Sequence, residues 1–125
     1  METIMVQEPD AALLDVVSTA LQMDGYRVYS LTDAHENIPE MIRRYRPKLI
    51  LLDCWLRNST AKQVAHWIKS LFPRLPVIAF SCDNHIDQEY RRLGFDGYLK
   101  KPFDLDVLYR VVSEHLPKRV RGPMA

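Results

Sequence analysis

No apolar run in the sequence approaches the roughly 20 residues of a membrane-spanning helix, and Met1-Glu2-Thr3 opens nothing that resembles a secretory signal. A cytoplasmic chain with no membrane partner is the expectation. Excess charge is missing too. Lys and Arg number 17 against 16 Asp and Glu, a formal net charge of +1, so nothing general argues for direct binding to nucleic acid. Cysteine is scarce: Cys54 and Cys82 form neither a CxxC pair nor a zinc pattern. Both are expected to be reduced packing thiols, although they follow two strands read below as neighbours, which leaves an oxidised pair open. His35, His66, His85 and His115 show no ligand spacing, and there is neither an internal repeat nor a low-complexity stretch. With 125 residues, 47% hydrophobic and 26% charged, the chain has the length and composition of one globular domain.

The most informative stretch is Leu49-Ile50-Leu51-Leu52-Asp53. Four bulky apolar residues without polar alternation read as a strand buried on both faces of a parallel sheet. The run stops at a carboxylate, which places Asp53 where the strand emerges, at the carboxyl edge where open α/β sheets bind ligands. Around it, short apolar runs alternate with helical patterns. Thr3 to Gln7 is a first strand; Asp10 caps a helix to Met23, and Gly25 ends it. Tyr26 to Leu31 alternates in character and suits a sheet edge. Pro39 restricts the second helix to about Asn37 to Tyr45, and Pro47 closes the connection.

Arg57-Asn58-Ser59 reads as loop, and Thr60 with Gln63 as a capping box for a helix to about Leu71 that buries Val64, Ile68 and Trp67. Pro73 and Pro76 bracket a turn before the strand Val77 to Phe80. A short helix over Ile86 to Leu93, with Gly94 as its C-cap, precedes a fifth strand, Gly97-Tyr98-Leu99. Leu105 to Leu116 is the last helix, with Leu105, Leu108, Val112 and Leu116 on one face. Strict alternation with right-handed crossovers predicts a three-layer doubly wound (βα)5 sandwich with the flavodoxin-like order 2-1-3-4-5. The domain is expected to occupy residues 1–117, with 118–125 a basic tail or linker remnant.

Past the carboxyl ends of these strands stand Glu8, Pro9 and Asp10, then Asp53, Ser81 and Lys101-Pro102. Clustered carboxylates suit a hard cation such as Mg²⁺, which takes oxygen ligands and keeps several waters. Such a cation neutralises an incoming phosphoryl group while Asp53 attacks phosphorus. Ser81 and Lys101 are placed to hold phosphoryl oxygens, one by hydrogen bond and the other as a point charge.

These residues carry a resemblance. Over residues 3 to 116 the sequence resembles the receiver domain of two-component response regulators. Leu51-Leu52-Asp53 stands at the phosphoacceptor place, Ser81 at that of the family's hydroxyl, and Lys101-Pro102-Phe103 at the family's Lys-Pro-Phe signature. Tyr98 falls at the aromatic switch, and Gly94-Phe95-Asp96-Gly97-Tyr98 is similar to the run leading into the signature. The resemblance implies phosphorylation of Asp53 by a sensor histidine kinase or a histidine phosphotransfer protein. It implies that Ser81 turns toward the phosphoryl group and Tyr98 rotates inward, remodelling the face of the fourth helix, fifth strand and last helix. A homodimer or an effector domain would use that face. No effector domain follows Leu116, which leaves a single-domain regulator or a receiver cut from a longer chain.

Three departures qualify it. The family ends its first strand with two acids, whereas Glu8 is followed here by Pro9, which offers no side-chain oxygen. Glu8 reaching in, or Asp10 substituting, are the alternatives, and a one-residue slip would pair Gln7 with Glu8. Trp55 stands where the family's backbone carbonyl binds metal, and Arg57-Asn58-Ser59-Thr60-Ala61 replaces the usual Pro and Gly turn. These departures support a competing expectation, an atypical receiver that binds partners without phosphorylation. An aspartyl phosphatase wants a second aspartate where Trp55 stands, and a flavodoxin wants a hydroxyl-rich loop where Gln7-Glu8-Pro9-Asp10 is acidic. Enzymatic turnover of a separate substrate is therefore not expected.

Overall fold

The computed structural model describes residues 1–33, 37–54 and 59–117. Five strands, β1 (Thr3–Gln7), β2 (Arg27–Leu31), β3 (Leu49–Asp53), β4 (Val77–Ser81) and β5 (Gly97–Lys100), form one parallel sheet in the order β2-β1-β3-β4-β5. They alternate with α1 (Ala11–Met23), α2 (Ile38–Tyr45), α3 (Ser59–Leu71), α4 (Ile86–Glu89) and α5 (Leu105–His115). The predicted doubly wound order is the one observed.

Strand alternation divides the core in two. Met5, Ile50, Leu52, Val77 and Ala79 pack on the side of α2 and α3, while Ile4, Val6, Leu51, Ile78 and Phe80 pack on the side of α1 and α5. Central β3 and β4 are buried on both faces, which is why they read as continuous apolar runs, and partly exposed β2 lies at the edge.

Local signals set most element ends. Asp10 accepts from the amides of Ala12 and Leu13, and Asn37 accepts from that of Glu40, so both act as N-caps. Gly25 closes α1 with φ of +93°, and the Tyr26 amide reaches back to the Leu21 carbonyl while that of Gly25 bonds Gln22. Lys69 ties the α3–β4 turn to β5. Its Nζ donates to the carbonyls of Pro73 and Leu75 and to Asp96 Oδ2, which also accepts from the Val77 amide.

Several expectations are corrected. Ser59 already belongs to α3, so Thr60 and Gln63 lie inside the helix and are not its capping box. Trp67 is 46% exposed, because the stripe Ala61, Val64, Ala65 and Ile68 is centred about one residue step (100°) away from it. Leu105 is 44% exposed, since α5 buries Leu108, Val111 and Val112 and Leu105 only opens the helix. The fourth helix is regular only over Ile86–Glu89; its continuation to Leu93 is turns, although Gly94 terminates them with φ of +95° as expected. Cys54 is buried and continues the face of Ile50 and Leu52, but Cys82 is exposed where the chain has left the sheet, so it is no packing thiol. Both are free, and the oxidised pair is not formed. Trp55, Arg57, Asn58 and the tail 118–125 lie outside the described residues.

Candidate functional site

Register brings the predicted site together. Gln7 pairs with Leu52, Asp53 with Phe80, and Ser81 with Lys100, so Glu8 just past β1, Asp53 at the end of β3 and Lys101 just past β5 reach the carboxyl edge at one level. The Glu8 amide is fixed by the Leu31 carbonyl and the Lys101 amide by that of Ser81. Lys101 Nζ donates to Glu8 Oε1 at 2.7 Å and to Asp53 Oδ1 at 2.8 Å, over the face of Phe80, whose centroid is 4.4 Å away. Side-chain exposures of 3% for Glu8, 11% for Asp53 and 16% for Lys101 make this a largely buried charge cluster.

Burial sets its electrostatics. Desolvation pushes the Glu8 carboxyl above its usual range, against the pull of Lys101. For Lys101, burial alone would lower the ammonium, but its bonds to Asp53 and Glu8 outweigh it and the net direction is upward. The Cys54 thiol is pushed up to about 12, first by burial and then by the charges of Asp53 and Asp83, which leaves it inert.

Ser81 is buried at the end of β4, where its hydroxyl donates to Asp83 Oδ2 at 3.2 Å and accepts from the Asp83 amide at 3.1 Å. Asp83 is a site residue that the sequence reading missed. Its signal was the Ser-x-Asp spacing, in which a short acid closes a local turn on a hydroxyl. Tyr98 is 37% exposed on β5, with its ring 5.1 Å from that of Tyr90. Asp10 is exposed and engaged as the cap of α1.

The donor set fits a magnesium ion. Glu8 Oε2 is buried and has no hydrogen-bond partner, an expensive position for a carboxylate oxygen beside Asp53. Among the described residues no three His, Cys, Asp or Glu side chains are grouped to enclose a metal; the two carboxylates that the fold brings together are Glu8 and Asp53. Mg²⁺ is commonly held by one or two carboxylates, waters and a substrate phosphate. Pro9 accounts for the missing third acid.

A parallel sheet in this order, with two acids and an amine converging at the switch point between β1 and β3, defines a doubly wound α/β domain of the receiver type. The chain belongs to the response regulator receiver domain family, which its residues 4–113 match. It is 32% identical over 126 residues to the DNA-binding transcriptional regulator NtrC of Bradyrhizobium sp. (strain RP501 Parasponia), covering 97% of this chain and 26% of that protein. It is 28% identical over 107 residues to the response regulator MprA of Mycobacterium leprae, covering 84% of this chain and 46% of that one. The receiver domain of NtrX from Brucella abortus superposes with a TM-score of 0.79 at 27% identity, covering 90% of this chain and 97% of the other. The chain spans less than half the length of these curated relatives. It is a receiver domain of a two-component response regulator. No helix among the described residues is long and apolar enough to cross a membrane.

Proposed function

We propose that this receiver accepts a phosphoryl group on Asp53 from a partner histidine kinase or histidine phosphotransfer protein. The observation that carries the reading is the Glu8–Lys101–Asp53 cluster, with its one unpartnered, buried carboxylate oxygen. Receiver domains typically use Mg²⁺ for this reaction. Glu8 and Asp53 would hold it, with the Trp55 carbonyl and Asp10 as the further candidates; when bound, it would neutralise charge on the transferring phosphoryl group. An Asp53 carboxylate oxygen forms the new bond to phosphorus as the donor's phosphorus–nitrogen bond breaks. Lys101 leaves Glu8 to hold a phosphoryl oxygen as a point charge, and Ser81 releases Asp83 to hold another by hydrogen bond.

The same release carries the signal outward. Lys101 and Tyr98 belong to one short run, and the Lys101 amide is bonded to the Ser81 carbonyl. A shift of Ser81 therefore bears on β5, where exposed Tyr98 turns inward and alters the surface of α4, β5 and α5 that an effector domain or a second copy would read. A soluble, cytoplasmic setting follows from such partners. The domain is expected to end near residue 117.

The test is exposure of the chain to a small acyl phosphate with and without Mg²⁺, followed by intact mass. The expected gain is one phosphoryl group that needs both the cation and Asp53 and is absent in Asp53→Asn. No gain with donor in excess overturns the reading.

A further inference from the structure

We propose a second binding site at the opposite, amino edge of the sheet: an open cleft that takes an acidic peptide segment of a partner protein carrying one bulky apolar side chain. The cleft, of about 770 Å³, lies between the end of α2, the α3–β4 turn and Pro117, just past the C-cap of α5. Its floor is Phe72 with Pro47, Pro73, Pro76 and Pro117. Its rim carries Arg43, Arg46, Lys48 and Arg74, all exposed, and no carboxylate lines it. In a chain of net charge +1, four cations around one apolar concavity are a local concentration that composition does not account for. Compensation of the helix dipole explains Arg43, in the last turn of α2, but neither Lys48 nor Arg74 belongs to a helix. Arg46 occupies the left-handed C-cap of α2, φ 50°, a place that glycine or asparagine fills with less strain.

The walls are held in place. Lys69 pins the carbonyls of Pro73 and Leu75, and the Arg43 guanidinium lies over the Phe72 ring, 5.7 Å from its centroid. Arginine forks bind carboxylates in bidentate fashion, and a prolyl and aromatic floor receives an apolar anchor without needing hydrogen bonds. Other occupants match less of this surface. The chain's own continuation after Pro117 carries Lys118, Arg119 and Arg121, the same charge as the rim. A small molecule is usually mostly enclosed, which an open cleft does not do. Nucleic-acid phosphates would pair with the rim but leave the apolar floor unfilled.

The experiment titrates the isotope-labelled full chain with a synthetic peptide of Asp and Glu flanking one Trp, read by backbone amide shifts. We expect saturable shifts over residues 43–48 and 72–75 that weaken with added salt. The exposed double variant Arg46→Glu, Arg74→Glu should bind at least about tenfold more weakly while unfolding at the parent's midpoint, and Trp→Ala in the peptide should cost about as much. Asp53→Asn should bind like the parent, so this result stands apart from the phosphorylation test. Absence of saturation into the millimolar range, shifts centred elsewhere, or equal binding of a lysine-substituted peptide overturns the proposal. Tighter binding of a single-stranded oligonucleotide than of the peptide overturns it as well.

Discussion

Glu8 and Asp53 at the carboxyl edge of the sheet are nearly buried and both bonded to Lys101, whereas Arg43, Arg46, Lys48 and Arg74 at the amino edge stand in solvent around a cleft whose lining, among the described residues, includes no carboxylate. Both edges belong to the same five strands. A buried charge must be matched or neutralised, so the carboxyl edge is fixed in geometry, and Glu8 and Lys101 are both pushed above their ordinary pKa values. An exposed charge is solvated and screened, so the amino edge costs the fold little and stays available to an outside partner. Chemistry is thus proposed for the buried, geometrically fixed edge and recognition for the exposed one.

The contrast can be broken most strongly from below. Phe80 is fully buried, forms the shelf beneath Lys101 and meets the Phe103 ring at 5.4 Å. Phe80→Ala should cost about 4 kcal/mol in denaturant unfolding, by transfer and cavity together. A cost under about 1 kcal/mol would mean that the shelf is not packed as described.

Lys101→Met should lower stability by roughly 2 kcal/mol, because two nearly buried carboxylates lose their counter-charge; Glu8, already pushed toward its neutral form, limits the loss by taking up a proton. The pH dependence has a definite sign. The folded-state pKa of Lys101 is raised above its ordinary 10.5, so its contribution is complete below that value and is lost as pH climbs through the raised one. Unfolding midpoints of the parent should fall along that alkaline limb, and Lys101→Met should flatten it. Parallel curves for the two proteins would contradict the bridging role.

At the amino edge Arg74→Ala should change stability by no more than about 0.5 kcal/mol. A loss above about 1 kcal/mol would show that the rim cation is part of the fold and would erase the distinction between the edges.

Much of this was legible in the sequence because buried parallel strands announce themselves. Leu49 to Leu52 and Val77 to Phe80 are apolar without alternation, and Asp53 and Ser81, which end them, lie at the carboxyl edge. Glu8, Asp53 and Lys101 could be assembled from strand ends alone, since parallel register aligns those ends. What escaped was decided by neighbours. Trp67 and Leu105 are apolar residues on the flank of a helical stripe or at its start, and exposure there depends on what packs alongside. Asp83 escaped because its bond to Ser81 is a two-residue turn with no periodicity behind it. The cleft of Phe72 and the prolines draws on three separated segments, a grouping that only the fold reveals.

The claim that the carboxyl edge is the reactive one is tested most directly by adding beryllofluoride, a phosphoryl mimic, with Mg²⁺ to the isotope-labelled chain and mapping the amide shifts. The account predicts large shifts at Glu8, Asp53, Ser81 and Lys101, extending to Tyr98, with residues 43–48 unmoved and Asp53→Asn silent. An unchanged spectrum at the carboxyl edge, or an equal response in Asp53→Asn, would contradict it.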